Sequence, residues 1–264
     1  MPLKEKHLKL ISAMIPEATD GAVRKRLSVL FDRVAYTNAQ INITSLVSEM
    51  DVTLKHIIDS LTLFFHPDFQ KAIQSGKSVC DIGCGGGFPG LPIGCVVPQA
   101  NITMIDSTEK KIHALQENAS VLGLTGINPV WGRGEELASA KGGKHRERYD
   151  VCVSRAVARL PVLCELCLPF VKPGGVFFAM KGMRAQEELE ESMRAIRMLG
   201  GKLKEVYEIH FDPEKVDRSD FSSEELALIE EFFSASRSLI VIEKKKTTQP
   251  IYPRKWAQMT KKSF

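Results

Sequence analysis

The chain lacks any apolar run approaching the roughly 18 residues that cross a bilayer. Its opening, MPLKEKHLKLISAMIPEATD, lacks the apolar centre of a signal peptide, because charged and apolar residues alternate there. A soluble cytoplasmic protein with no membrane association is expected. Cysteine is too sparse for a disulfide framework in a chain of 264 residues: Cys80, Cys84, Cys95, Cys152, Cys164 and Cys167 are read as reduced thiols. The single C-x-x-C, Cys164 to Cys167, has no second pair at zinc spacing, so small core residues are expected and no metal site. Internal repeats are missing too.

Acidic residues are absent after Glu243. Lys244, Lys245, Lys246, Arg254, Lys255, Lys261 and Lys262 fall in that stretch, so the net charge of +4 resides in the tail while residues 1–243 hold 29 basic against 32 acidic side chains. Interleaved with Tyr252 and Trp256, this segment suits phosphate neutralisation and base stacking. A solvated terminus accounts for the charge equally well.

What is present is a hydrophobic fraction of 44%, enough to bury a sizeable core. Residues 1–76 read as a helical extension, with apolar residues recurring at three or four positions in LKLISAMI, VRKRLSVLFDRVAYTNAQI and VTLKHIIDSLTLFF. From residue 77 to 243 the pattern changes. Seven β-rich runs, SVCDI, NITMID, NPVWG, YDVCVS, GVFFAMK, EVYEIHF and SLIVIEK, alternate with helical stretches, which predicts an α/β fold with a mainly parallel seven-stranded sheet covered on both faces. Ile112, Leu115, Ala119 and Leu122 share one helix face, which Gly123 stops. An insert over 212–237 carries a short helix with Ser222 or Ser223 as N-cap and Glu224 and Glu225 in its first turn. The last two strands are free to pair antiparallel at an edge. Residues 244–264 form the basic tail.

The first strand runs into a glycine-rich turn, VCDIGCGGGFPG. Gly85, Gly87 and Gly90 match G-x-G-x-x-G, so a dinucleotide-dependent oxidoreductase is one reading. Asp81 argues against it: a carboxylate there repels a pyrophosphate but favours the ammonium and sulfonium of S-adenosylmethionine. Glycines at 83, 85, 86 and 87 allow close backbone approach, and free N–H groups would face the cofactor's carboxylate. Asp106, 25 residues after Asp81, is placed for the ribose hydroxyls, with Ser107 and Thr108 adjacent; capping the helix that starts near Glu109 is the plainer role. Gly134 and Glu135 fall near the adenine if the sheet winds as expected, or simply start a short helix.

These pieces together resemble the class I methyltransferases, with their Rossmann-like sheet, and more narrowly the RsmG (GidB) family, which methylates guanine N7 in 16S ribosomal RNA. INITSL, LKHIIDSL, CDIGCGGGFPGLPI, MIDSTEKK, GRGEEL, VSRAVARLP, LPFVKPGG and MKG stand in that family's order over roughly residues 35–182. The tail YPRKWAQMTKKSF is similar to the family's basic terminus. The resemblance implies cofactor contacts at Gly83, Phe88, Gly134, Glu135 and Arg155, and 16S ribosomal RNA or the small subunit as partner of a monomeric enzyme. The 212–237 insert departs from the family pattern.

Guanine N7 carries an exposed lone pair, so its methylation needs placement and no general base. The chain accordingly has Ser154-Arg155-Ala156 after the fourth strand, where amino-directed methyltransferases carry an Asn-Pro-Pro-Tyr type motif. Arg155 and Lys181 are candidates for orienting the base through guanine O6, or else are structural charges. His56, Asp59 and Ser60 share a helix face. No G-x-S-x-G elbow accompanies them, so His56 and Asp59 are read as a polar lid over the site or as a structural hydrogen-bond set. A small-molecule methyltransferase and a non-catalytic RNA-binding protein remain as alternatives.

Overall fold

The computed structural model describes residues 3–261. Lys262 of the basic tail lies outside them. Seven strands, β1 (Val79–Ile82), β2 (Ile102–Asp106), β3 (Ile127–Trp131), β4 (Tyr149–Arg155), β5 (Val171–Lys181), β6 (Gly201–Glu208) and β7 (Ser238–Lys244), form one sheet in the order β3-β2-β1-β4-β5-β7-β6. β1 to β5 are parallel; β7 runs antiparallel to both β5 and β6. The expected α/β architecture is present, including the antiparallel edge pair. One strand sits earlier than EVYEIHF suggested: β6 starts at Gly201, where Gly200 takes φ +81°, and its half-exposed edge position tolerates the polar KLKE.

Successive strand side chains point to opposite faces, and here the two faces have separate cores. Val79, Val151, Val153, Phe178, Met180, Leu239 and Val241 meet the N-terminal helices, the insert and the helices Gly90–Val96 and Glu109–Val121. Cys80, Ile82, Cys152, Phe177, Ala179, Ile240 and Ile242 meet the helices Leu160–Cys167 and Ala185–Met198 and the buried Met259 of the tail helix Trp256–Lys261. Ile112, Leu115, Ala119 and Leu122 are buried as their spacing requires, and Gly123 ends that helix at φ +67°. In the insert, Ser222 and Glu225 form a reciprocal capping box on the helix Ser223–Ser234. All six cysteines are free and buried. Among the described residues no helix is long and apolar enough to cross a membrane.

Between residues 49 and 65 the chain is helical but not uniform. A π-helical stretch, Val52–Ile58, is flanked by the α turns Glu49–Asp51 and Asp59–Leu61. Such wide turns redirect carbonyls and side chains, and they gather at functional sites. His56 and Lys55 lie in this one, with Asp59 just after it.

Candidate active site: two clefts joined at Arg155

The ends of β1, β2, β3 and β4 open onto a cleft of about 560 Å³, within the range of small-molecule sites. Its floor is the glycine turn. Gly83 takes φ +72°, and a Cβ there would stand 2.4 Å from Val157 Cγ2, so both conformation and space demand glycine. The turn's N–H groups are not free as expected: those of Gly83 and Cys84 bond the Ile105 carbonyl, and that of Gly85 donates to Asp106 Oδ2 at 3.0 Å. The turn therefore offers a hollow shaped by missing side chains more than a row of open donors.

Most expected cofactor residues line this cleft: Gly83, Gly85, Phe88, Asp106, Ser107, Gly134, Glu135 and Arg155. Asp106 lines the cleft and accepts from Gly85 N–H through Oδ2 and from Thr108 N–H through Oδ1 at 2.8 Å, so it fastens the glycine turn to the segment that leads into the next helix. Asp81 does not line the wall. Two residues from Val79, it shares that residue's face, fully buried beneath the helix Gly90–Val96, and its Oδ2 accepts from Gly90 N–H at 2.9 Å. Its Oδ1 has no hydrogen-bond partner. Burial pushes this carboxyl up to about 7, against the Gly90 N–H and the Arg155 charge, which pull it down. A buried acceptor left unpaired behind the hollow fits a cationic ligand in front of it.

His56 and Asp59 come together with Arg155 in one hydrogen-bonded cluster. Arg155 Nη1 donates to Asp59 Oδ2 at 2.8 Å and to the Lys55 carbonyl at 2.7 Å; its Nη2 lies 3.4 Å from His56 Nδ1. The His56 ring stacks on Phe88 with centroids 4.5 Å apart and meets Thr44 Oγ1 at 2.9 Å through Nε2. Burial, then the Arg155 charge, lowers its pKa to about 4, so it is a neutral spacer at physiological pH.

Arg155 and Ala156 also line a second cleft of about 320 Å³. Ala156 holds φ +57°, a strained conformation for a residue with a Cβ, at the junction of the two. In the second cleft Asp59 Oδ1 accepts from Arg237 Nε at 3.0 Å, so one carboxylate joins two guanidiniums. Arg237 stands over the Phe232 ring at 3.6 Å and donates to the Phe232 and Ala235 carbonyls. The sequence reading missed it. The signal was available, since an antiparallel β7 must begin where the parallel strands end, and Ser238 pairs with Lys181.

Lys181 lines the second cleft but is committed to a structural pair. In register Arg155 lies beside Met180, so Lys181 points to the other face, 2.8 Å from Glu188 Oε2 and donating to the Ala158 carbonyl at 2.7 Å. The tail departs further from expectation. Lys244 is fully buried on that same face, donating to the Leu168 carbonyl and Thr248 Oγ1, and burial lowers its pKa to about 8. It cannot touch phosphate. Arg254 is paired with the buried Glu165, and Lys245 with Glu243 at 2.5 Å. Lys246, Lys255 and Lys261 are exposed.

Fold and site together define a class I, Rossmann-like methyltransferase: a β3-β2-β1-β4-β5-β7-β6 sheet with a glycine hollow after β1 and an acidic residue ending β2. The sequence model of the GidB family, described as rRNA small subunit methyltransferase G, matches residues 24–216. A Clostridium novyi (strain NT) protein named ribosomal RNA small subunit methyltransferase G is 38% identical over 225 residues, covering 85% of this chain and 82% of the relative. One of the same name from Staphylococcus epidermidis (strain ATCC 12228 / FDA PCI 1200) is 40% identical over 218 residues, covering 83% and 80%. The chain belongs to the rRNA small subunit methyltransferase G (GidB) family. It is a methyltransferase, and the oxidoreductase alternative falls.

Proposed function

We propose that this enzyme transfers a methyl group from S-adenosylmethionine to N7 of a guanine in 16S ribosomal RNA, acting as a cytoplasmic monomer on that RNA or on the small subunit. The observation that carries the reading is the meeting of two clefts at Arg155 and Ala156, which gives cofactor and acceptor separate rooms with one shared wall. The cofactor supplies an electrophilic methyl group on a cationic sulfur. In this reading Asp106 accepts from the ribose hydroxyls, Gly134 and Glu135 meet the adenine, and the buried Asp81 favours the cation from behind the turn; their shared position on the cleft wall, Asp81 excepted, supports it.

In the second cleft, Arg155 and Arg237 bring donors suited to guanine O6, beside the N7 lone pair. Asp59 holds both guanidiniums in place. The triad of two arginines and one aspartate carries a net positive charge, which favours a polyanionic acceptor. His56 is not poised as a general base, since it faces a guanidinium on one nitrogen and Thr44 on the other, and the Asp59 carboxylate is engaged by two guanidiniums. That economy suits N7, which has no proton to lose.

The test is digestion of 16S RNA and of small subunits to nucleosides after incubation with enzyme and methyl-labelled S-adenosylmethionine. Label in 7-methylguanosine is expected. Label on a base amino group, on ribose or on a small molecule would overturn the acceptor assignment.

A further inference from the structure

The described part of the C-terminal segment folds back along the sheet and passes the cofactor cleft at Trp256. Arg146 holds the turn after β7, donating to the carbonyls of Thr248 at 2.6 Å and Tyr252 at 2.8 Å. Further on, Glu165 accepts from both the backbone N–H and the guanidinium of Arg254, at 2.8 and 2.5 Å. Met259 is fully buried. These anchors set Trp256–Lys261 against Leu160–Cys167 and bring the half-buried Trp256 to the cleft wall. The anchored positions are too many for a solvated tail.

The cleft has two apolar sides from opposite faces of the sheet: Ile43 and Phe88 on one, Leu166, Val157 and Trp256 on the other. Gly134 belongs to the end near Leu166, since a Cβ on it would stand 2.9 Å from Leu166 Cδ1. Gly134 and Glu135 start the helical turn there, so a flat ring entering over them has Leu166 and the Trp256 indole on the same side.

We infer that Trp256 is a cofactor-binding residue whose indole walls the adenine end, making the basic C-terminal segment part of the cofactor site. This rests on the assignment of the cleft to S-adenosylmethionine. An indole gives a purine a stacking surface whatever polar edges are engaged elsewhere. Trp256 is half-buried and keeps part of its surface facing the cleft.

The test uses the full chain, S-adenosylhomocysteine and 5′-methylthioadenosine as probes, and calorimetry. Trp256→Ala should raise the Kd of both probes by about tenfold or more, and by the same factor, because both carry adenine. Trp256→Phe should lose only about threefold. In a Trp131→Phe background, where Trp256 is the remaining tryptophan, emission should change on saturation with either probe. This last measurement decides the matter even if Trp256→Ala fails to fold. Unchanged affinity in a folded Trp256→Ala, or unchanged emission at saturation, overturns the inference. A loss confined to S-adenosylhomocysteine moves the indole to the amino-acid end and overturns the adenine placement. If the unaltered chain binds neither probe, the cofactor assignment itself fails.

Discussion

The two clefts are built by different means. The floor of the first is backbone: turns that follow β1, β2 and β3, shaped by glycine and held by N–H groups bonded within the protein. Side chains from distant segments make the second: Asp59 from the N-terminal helical layer, Arg155 from β4 and Arg237 from the end of the insert, tied by ion pairs of 2.8 and 3.0 Å. The first should fail when its shape is altered and the second when its charge is altered. Arg155 belongs to both and should register either kind of damage.

The sharpest way to break this contrast is Gly83→Ala. The new Cβ must fit a left-handed backbone and displace Val157, so cofactor affinity should fall on the order of a hundredfold by calorimetry. A fall of less than threefold would show that the hollow is not shaped by that glycine.

Asp59→Asn keeps the size of the side chain and removes the charge that holds two arginines. The methyl-transfer rate should drop about thirtyfold to a hundredfold, with cofactor Kd changed less than about threefold. Equal losses in both would place Asp59 in the cofactor site.

This difference in construction also governs what the sequence discloses. The glycine hollow is local, so Gly83, Gly85, Phe88 and Asp106 could be read from one stretch and its successor. Asp81 could be read as important but not as buried behind the turn, because that depends on which face it shares with Val79. The same alternation separates Arg155 from Lys181: both end strands, yet β4–β5 register turns them to opposite faces. Arg237 lies 178 residues from the aspartate it grips, so no local pattern marks it and only the topology, an antiparallel β7 starting beside the ends of the parallel strands, points to it. In the tail, charge alone could not distinguish exposed lysines from Lys244, whose neighbours Ile242 and Ile240 place it on a buried face.

Proton linkage separates two buried groups by sign. His56 has a folded pKa of about 4, below its ordinary value, so the unfolded chain takes the proton first as pH falls from about 6.5. The stability it contributes is present above that pH and is lost progressively toward pH 4, up to about 3 kcal/mol. His56→Gln should flatten the acid side of a stability–pH curve from denaturant unfolding; an unchanged slope would contradict the burial argument. Asp81 goes the other way. With its folded pKa at about 7, it holds its proton more tightly folded than unfolded, so the stability present below about pH 4 is lost progressively as pH rises through 7. A cationic ligand should offset that loss. Cofactor affinity should therefore climb between about pH 6 and 8 in the wild type, and the Asp81 contribution to that climb should vanish in Asp81→Asn.

The smallest expected effect concerns the tail. Replacing the exposed Lys246, Lys255 and Lys261 together should weaken RNA binding only a fewfold and reduce its salt slope by no more than about three. Lys244→Met should leave RNA affinity unchanged, and its cost should be read in unfolding. A large RNA defect from Lys244→Met alone, with stability intact, would restore it to the RNA surface.

The division of labour is tested most directly at Arg237, which lines the second cleft and not the first. For Arg237→Gln, S-adenosylhomocysteine affinity and the rate of methyl transfer to 16S RNA should be measured on the same preparation. The two-cleft account predicts a Kd within about twofold of wild type and a rate reduced by about thirtyfold or more. Transfer at the wild-type rate, or a cofactor affinity that falls along with it, would contradict the account.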